Sequence, residues 1–304
     1  MGSRLAIGVD HFKKEVVMEM NEVLEKIDFP VSLRPAMYVD KDGELKQGVG
    51  QQVVREDTNQ SLSFVSDTYG LLTHGQCLAP VVRALDGMNF KIKALRMDGQ
   101  GRRVLVHAIS EKTWNIGQGD DVALSLYFAN SYDRAQALKA YFGGFRFICS
   151  NGSVVAHPAF QGLNVNVRII HSKYQTRKLD VVAMANSVAS LYGAMDKQAE
   201  TWREWNRTEI KAEALDSIKL NVLEPVVGIR SVESVVSKIY NGRGQDGRLT
   251  LWSVFNGITE HYTDKGNASK SPVAGNINAL AKSALAVTTL TEWTRENQQV
   301  LVNA

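Results

Sequence analysis

Apolar and polar positions alternate through much of the first 170 residues and recur at three and four residues thereafter. The exception at the start is a stripe of Phe12, Val16, Met20, Val23 and Ile27, which predicts a helix over about 11–27 with Asp10 as its N-cap. Pro30 and Pro35 impose an extended segment, and Asp40-Lys41-Asp42-Gly43 is a turn. Runs at 51–55 and 61–66 read as a hairpin. Thr73 opens a short helix through Leu85, with Pro80 shortening its first turn. The clearest hairpin pairs 90–97 with 103–109 across Asp98-Gly99-Gln100-Gly101.

An apolar strand from Val122 to Ala129 ends in Asn130-Ser131-Tyr132-Asp133-Arg134. The next, Gly143 to Gly152, carries Arg146 at its centre. Here Gly143 and Gly144 are expected to break the preceding element, and Asn151-Gly152 to turn the chain. A third strand covers 165–171. From about 178 a long helical stripe runs through Val188, Leu191, Met195 and Trp202, broken later by Pro225 and Gly228. Helices follow at 231–240, 251–262 and 277–295. Strands first and helices after give an α+β class: a mixed, largely antiparallel sheet of hairpins in 1–175, and a helical region, 176–304, packed on it.

Composition narrows the partners rather than the fold. At 44% hydrophobic and 22% charged residues, the 304-residue chain has the make-up of a globular protein with a sizeable core. Two cysteines, Cys77 and Cys149, argue against a disulfide framework and for a reducing compartment; Cys149 reads as a buried, unreactive thiol. No apolar run approaches a membrane span and no signal-peptide core is evident, so a cytoplasmic location without membrane contact is expected. A net charge of +3 permits nucleic acid without requiring it.

Lys91, Lys93 and Arg96, reinforced by Arg102 and Arg103, make the solvent face of the 90–109 hairpin positive. That pattern suits an edge strand guarded by charge, or a face that tracks phosphates with strand-borne Arg146 and Arg168. Asn130, Asp133, Asn151 and His171 stand at strand ends, where a pocket for a nucleotide or small ligand would form. Arg146 has Asp133 as its nearest candidate counter-ion in sequence. No Gly-Lys-Ser/Thr phosphate loop occurs, and Gly242 to Gly247 follows no strand, which argues against a dinucleotide fingerprint. His157 and His171 lack a third ligand at metal spacing, Asp120-Asp121 reads as a solvated loop, and Trp252, Phe255 and Tyr262 read as core. No catalytic constellation, metal or cofactor site emerges, and an enzyme is the less favoured class.

Several blocks together resemble the domain-of-unknown-function family 932, the phage/plasmid-like proteins. They are Val54-Arg55-Glu56-Asp57 with Tyr69-Gly70-Leu71; Leu126 through Asp133; Phe145 to Gly152; Val167 to His171; and Leu251 to Glu260. Asp133 is followed by Arg134, where the family's pattern has glycine. The resemblance implies a mobile-element protein of the bacterial cytoplasm. With the basic hairpin it leads to an expectation of a nucleic-acid partner, single-stranded DNA above all, in replication or recombination and with annealing as one form of it. A host-defence antagonist or enzyme acting on a small ligand is the alternative, and a homo-oligomer is compatible with either.

Overall fold

In a computed structural model, residues 18–117, 120–146, 151–154, 168–169, 171–173, 181–241, 247–263, 282, 285–286 and 288–297 are described. Among the described residues, nine strands form two antiparallel sheets. The smaller joins β1 (Val31–Val39), β2 (Leu45–Arg55) and β3 (Gln60–Val65). The larger runs β4 (Phe90–Met97), β5 (Arg103–Gly117), β6 (Asp120–Ser131), β7 (Leu138–Arg146) and β8 (Asn151–Val154), with β9 (Arg168–Ile169) also on β7. The helices are α1 (Met20–Ile27), α2 (His74–Asp86), α3 (Val181–Arg207), α4 (Ala212–Ile218), α5 (Glu224–Val227), α6 (Val232–Asn241) and α7 (Leu251–Thr263), and residues 288–296 are helical. This is the α+β class expected.

Alternation along β6 divides the large sheet into two faces. Val122, Leu124, Leu126 and Phe128 join Val104, Val106 and Ala108 of β5 and Leu138, Ala140 and Phe142 of β7 in one core with the helices. Into that core α3 contributes Val188, Leu191, Met195 and Trp202, and α7 contributes Trp252 and Phe255. Trp252 stacks on Phe255 with centroids 5.1 Å apart, so both are core, as the sequence predicts. Helix α2 begins on a complete capping box: Thr73 accepts from the Gln76 amide, and the Gln76 side chain accepts from the Thr73 amide. It runs on through Pro80 to Asp86, so the proline does not shorten it.

Gly143 and Gly144 do not break an element; both lie inside β7, paired with Ser125 and Leu124. A Cβ on Gly144 would come within 2.7 Å of the Trp202 ring and of Val122 Cγ1. The glycine is there because the indole packs directly on the strand backbone. Asn151 and Gly152 likewise stand in β8, opposite Arg146 and Phe145, and not at a turn. Asp120 is buried and accepts a 2.7 Å hydrogen bond from Trp252 Nε1, tying the start of β6 to α7 rather than sitting in a solvated loop. The Asp10 cap, Cys149 and His157 lie outside the described residues.

Candidate functional site

The face of the large sheet turned away from the helices carries Lys91, Arg96, Arg103, Lys139 and Arg168, whereas Arg146 stands opposite Val122 in a row of the helix-facing side. Antiparallel partners share a face, so the register can be read across the strands. Arg96 opposes Leu105, Leu105 opposes Ala129, Ala129 opposes Lys139, and Lys139 opposes Arg168. Two predicted cations, Arg96 and Arg168, thus end one transverse row, about 19 Å apart at four interstrand spacings. Lys139 was not singled out in the sequence. The neighbouring row is Ala94, His107, Tyr127 and Tyr141. His107 stacks on Tyr127 with centroids 4.2 Å apart and planes 14° from parallel. It also hydrogen-bonds Ser125 Oγ at 2.8 Å, and Lys139 Nζ lies 5.9 Å from the Tyr141 ring centre.

Leu105, Ala129 and Tyr127 form a buried floor; His107, Tyr141 and Lys139 are partly exposed, and Arg96 is exposed. Burial, then the positive charges of Lys93 and Arg96, push the His107 imidazole down to about 3. Burial also lifts the Tyr127 phenol to about 12, against a hydrogen bond from Ser125 and the Arg96 charge. Both rings are therefore neutral at physiological pH, in a field made positive by Lys93 and Arg96.

Lys93 is the extra residue of a β-bulge between Ile92 and Ala94. The other basic residues of the hairpin have carboxylate partners. Lys91 pairs with Glu111 at 2.7 Å, Arg102 with Asp98 at 3.1 Å and Arg103 with Asp133 at 2.6 Å. Among the described residues Arg96 makes no ion pair. Exposed ion pairs contribute at most about 1 kcal/mol each, so a phosphate competes readily for Lys91 and Arg102.

Asp133 is therefore not the counter-ion of Arg146. Lys139 lies near the Asp133 end of β7, and Arg146 is seven residues further along, roughly 23 Å away at strand rise. The same geometry takes Asn151, opposite Arg146, away from Asn130 and His171. The four-residue strand-end pocket does not assemble; of its members only Asn130 and His171 meet.

They meet in a buried relay with residues the sequence reading passed over. His74 Nε2 lies 2.9 Å from the Gly101 carbonyl, Asn130 Nδ2 lies 3.0 Å from His74 Nδ1, His171 Nε2 lies 2.8 Å from Asn130 Oδ1, and Tyr69 Oη lies 3.2 Å from His171 Nδ1. A carbonyl can only accept, so His74 Nε2 carries its proton and Nδ1 accepts from Asn130. Asn130 Oδ1 then accepts from His171 Nε2, which leaves His171 Nδ1 to accept from Tyr69. The second Asn130 hydrogen goes to the Leu72 carbonyl at 3.2 Å. Burial pushes His74 down to about 3, partly opposed by Gly101, and lowers His171 too; both are neutral. Tyr132 closes the cluster, accepting from the His74 amide at 2.8 Å, while Ser63 of β3 donates to its carbonyl at 2.7 Å. The ring and amide hydrogens of His74, Asn130 and His171 are all taken up inside the cluster, so the relay fastens β3 and α2 to β6.

Among the described residues no cluster of three or more His, Cys, Asp or Glu could hold a metal, and no helix is long and apolar enough to cross a membrane. A family model described as "Domain of unknown function (DUF932)" matches residues 61–299. No curated protein and no solved structure matches the chain.

Proposed function

Because this chain belongs to the domain-of-unknown-function family DUF932, whose description assigns no activity, we propose a function from its geometry: it binds single-stranded nucleic acid across the outer face of its large sheet. One observation carries the reading. The row Arg96–Leu105–Ala129–Lys139–Arg168 lies beside the aromatic row His107–Tyr127–Tyr141. Cations spaced across a sheet neutralise successive phosphates, and the partly exposed rings of His107 and Tyr141 beside them, with the buried Tyr127 between, offer stacking faces that accept any base. Such a face reads backbone and π-surface rather than sequence, which is what coating or annealing a strand demands.

The resemblance of the sequence blocks to phage/plasmid-like proteins supports placing this work in the replication or recombination of a mobile element, in the bacterial cytoplasm. The test is fluorescence anisotropy of a labelled single-stranded oligonucleotide with the wild-type chain and the Arg96→Ala/Lys139→Ala variant. Binding should weaken about tenfold or more and equally for unrelated sequences. Equal affinity of the two proteins refutes this face as the binding surface.

A further inference from the structure

The small sheet is longer than its body. Strand β3 stops pairing with β2 at Val65 opposite Gln51, yet β1 and β2 pair again from Met37 opposite Gln47 to Val39 opposite Leu45. Between these parts Gly48-Val49-Gly50 bulges out of β2. Gly50 has φ +86°, and a Cβ there would meet the Val65 carbonyl oxygen at 2.5 Å. Beyond the bulge the two strands stand as a bare ribbon closed by Asp40 to Glu44.

This arm is apolar where it ought to be polar. Met37, Tyr38, Val39 and Leu45 are 44%, 53%, 65% and 66% exposed, and Val49 in the bulge is 98% exposed. Val39 and Leu45 are directly opposed and share a face with Met37, while Tyr38 lies on the other face beside Lys46. A two-stranded ribbon without a covered face is marginal in water. Its exposed side chains, on the order of 100 Å² each for the larger ones, supply much of the roughly 800 Å² that each partner gives a stable interface.

We propose that the arm is the contact between two copies of this chain, packed arm to arm about a twofold axis. Its charges fit that occupant. Asp40, Asp42 and Glu44 alternate with Lys41 and Lys46, and Lys46 already lies 2.7 Å from Asp40 and 3.3 Å from Glu44. The arm thus presents nearly balanced charge of both signs, which suits neither a nucleic acid nor a strongly charged protein. An isologous contact places one arm's lysines against the other's carboxylates, and its apolar face against an identical one. The chain's net charge of +3 opposes such pairing only weakly.

Light scattering after size exclusion, on the full chain without nucleic acid, tests this. The wild-type chain should run as a dimer that dissociates on dilution, and the Val39→Asp/Leu45→Asp variant as a monomer with an unchanged melting temperature. Should that variant unfold, Val39→Thr/Leu45→Thr keeps strand-compatible side chains and should raise the dissociation constant with the fold intact. A wild-type chain that is monomeric at every concentration, as an arm reserved for a different protein would leave it, overturns the proposal. So does a folded arm variant that remains dimeric.

Discussion

Three histidines held neutral inside the fold make its stability depend on pH well above the range where carboxylates act. His74 and His107 are pushed down to about 3 by burial, and His171 is lowered by the same cause. In the unfolded chain each titrates near its ordinary value of about 6.5. A depressed folded pKa means that the unfolded state takes up protons first. The stability each histidine contributes is therefore complete above about pH 6.5 and is lost as pH falls toward the folded value.

Each such group costs up to about 1.4 kcal/mol per pH unit, so His74 alone removes about 2.7 kcal/mol by about pH 4.5. His107, pushed down as far, adds a similar amount and His171 adds in the same direction, so the loss becomes a large part of the 5–15 kcal/mol typical of a domain, as an order of magnitude. Lowered carboxylates such as Asp40 and Glu56 act below about pH 4, outside this window. The assay is urea denaturation followed by tryptophan fluorescence at steps from about pH 7.5 to about pH 4.5. The unfolding free energy should fall throughout the acidic half of that range, with a slope approaching two protons from His74 and His107 and a further contribution of the same sign from His171. His107→Gln, which keeps a partner for Ser125, should remove about one proton from the slope. A free energy that is flat from neutral pH to pH 5, or a slope unchanged by His107→Gln, would refute the assignment of neutral buried imidazoles.

Gly144→Ala should lower stability by about 1–3 kcal/mol, because its Cβ would stand 2.7 Å from both the Trp202 ring and Val122; a melting curve checks it. Asn130→Ala strands His74 Nδ1 and the His171 Nε2 proton in a buried site, at about 1–3 kcal/mol for each unpaired group, and denaturant midpoints measure the loss. Cys77 is fully buried with its thiol pushed up by burial, so mass spectrometry should show no labelling of its peptide by a bulky thiol reagent until the protein is unfolded.

What the sequence discloses depends on how local the cause is. The helix start at Thr73 and the turn between β4 and β5 are set by residues within four positions of each other, and both are legible. Gly143-Gly144 is misread as a break because its reason, the Trp202 indole on the strand backbone, lies 58 positions further along. The Arg146–Asp133 pair looks natural by proximity in sequence, yet antiparallel register sends the two to opposite ends of β7 and gives Asp133 to Arg103. His107, Tyr127 and Tyr141 carry one usable signal: from Val122 to Ala129, large apolar residues alternate with Ala123, Ser125, Tyr127 and Ala129. That pattern marks a second face distinct from the core. His74 and Tyr69 carry none, and His171 shows only as a polar residue at a strand end, since their relay joins positions up to 102 residues apart.

Under the proposed function, phosphates are held by a row of cations on the outer face of the large sheet. The most direct measurement is the dependence of single-stranded DNA affinity on salt. For the wild-type chain log K should fall linearly with log salt concentration. Arg96→Ala/Lys139→Ala should flatten that line by about 1.4, at roughly 0.7 for each phosphate of a single strand that the protein ceases to neutralise. An affinity that does not respond to salt, or the same steep slope in both proteins, would contradict it.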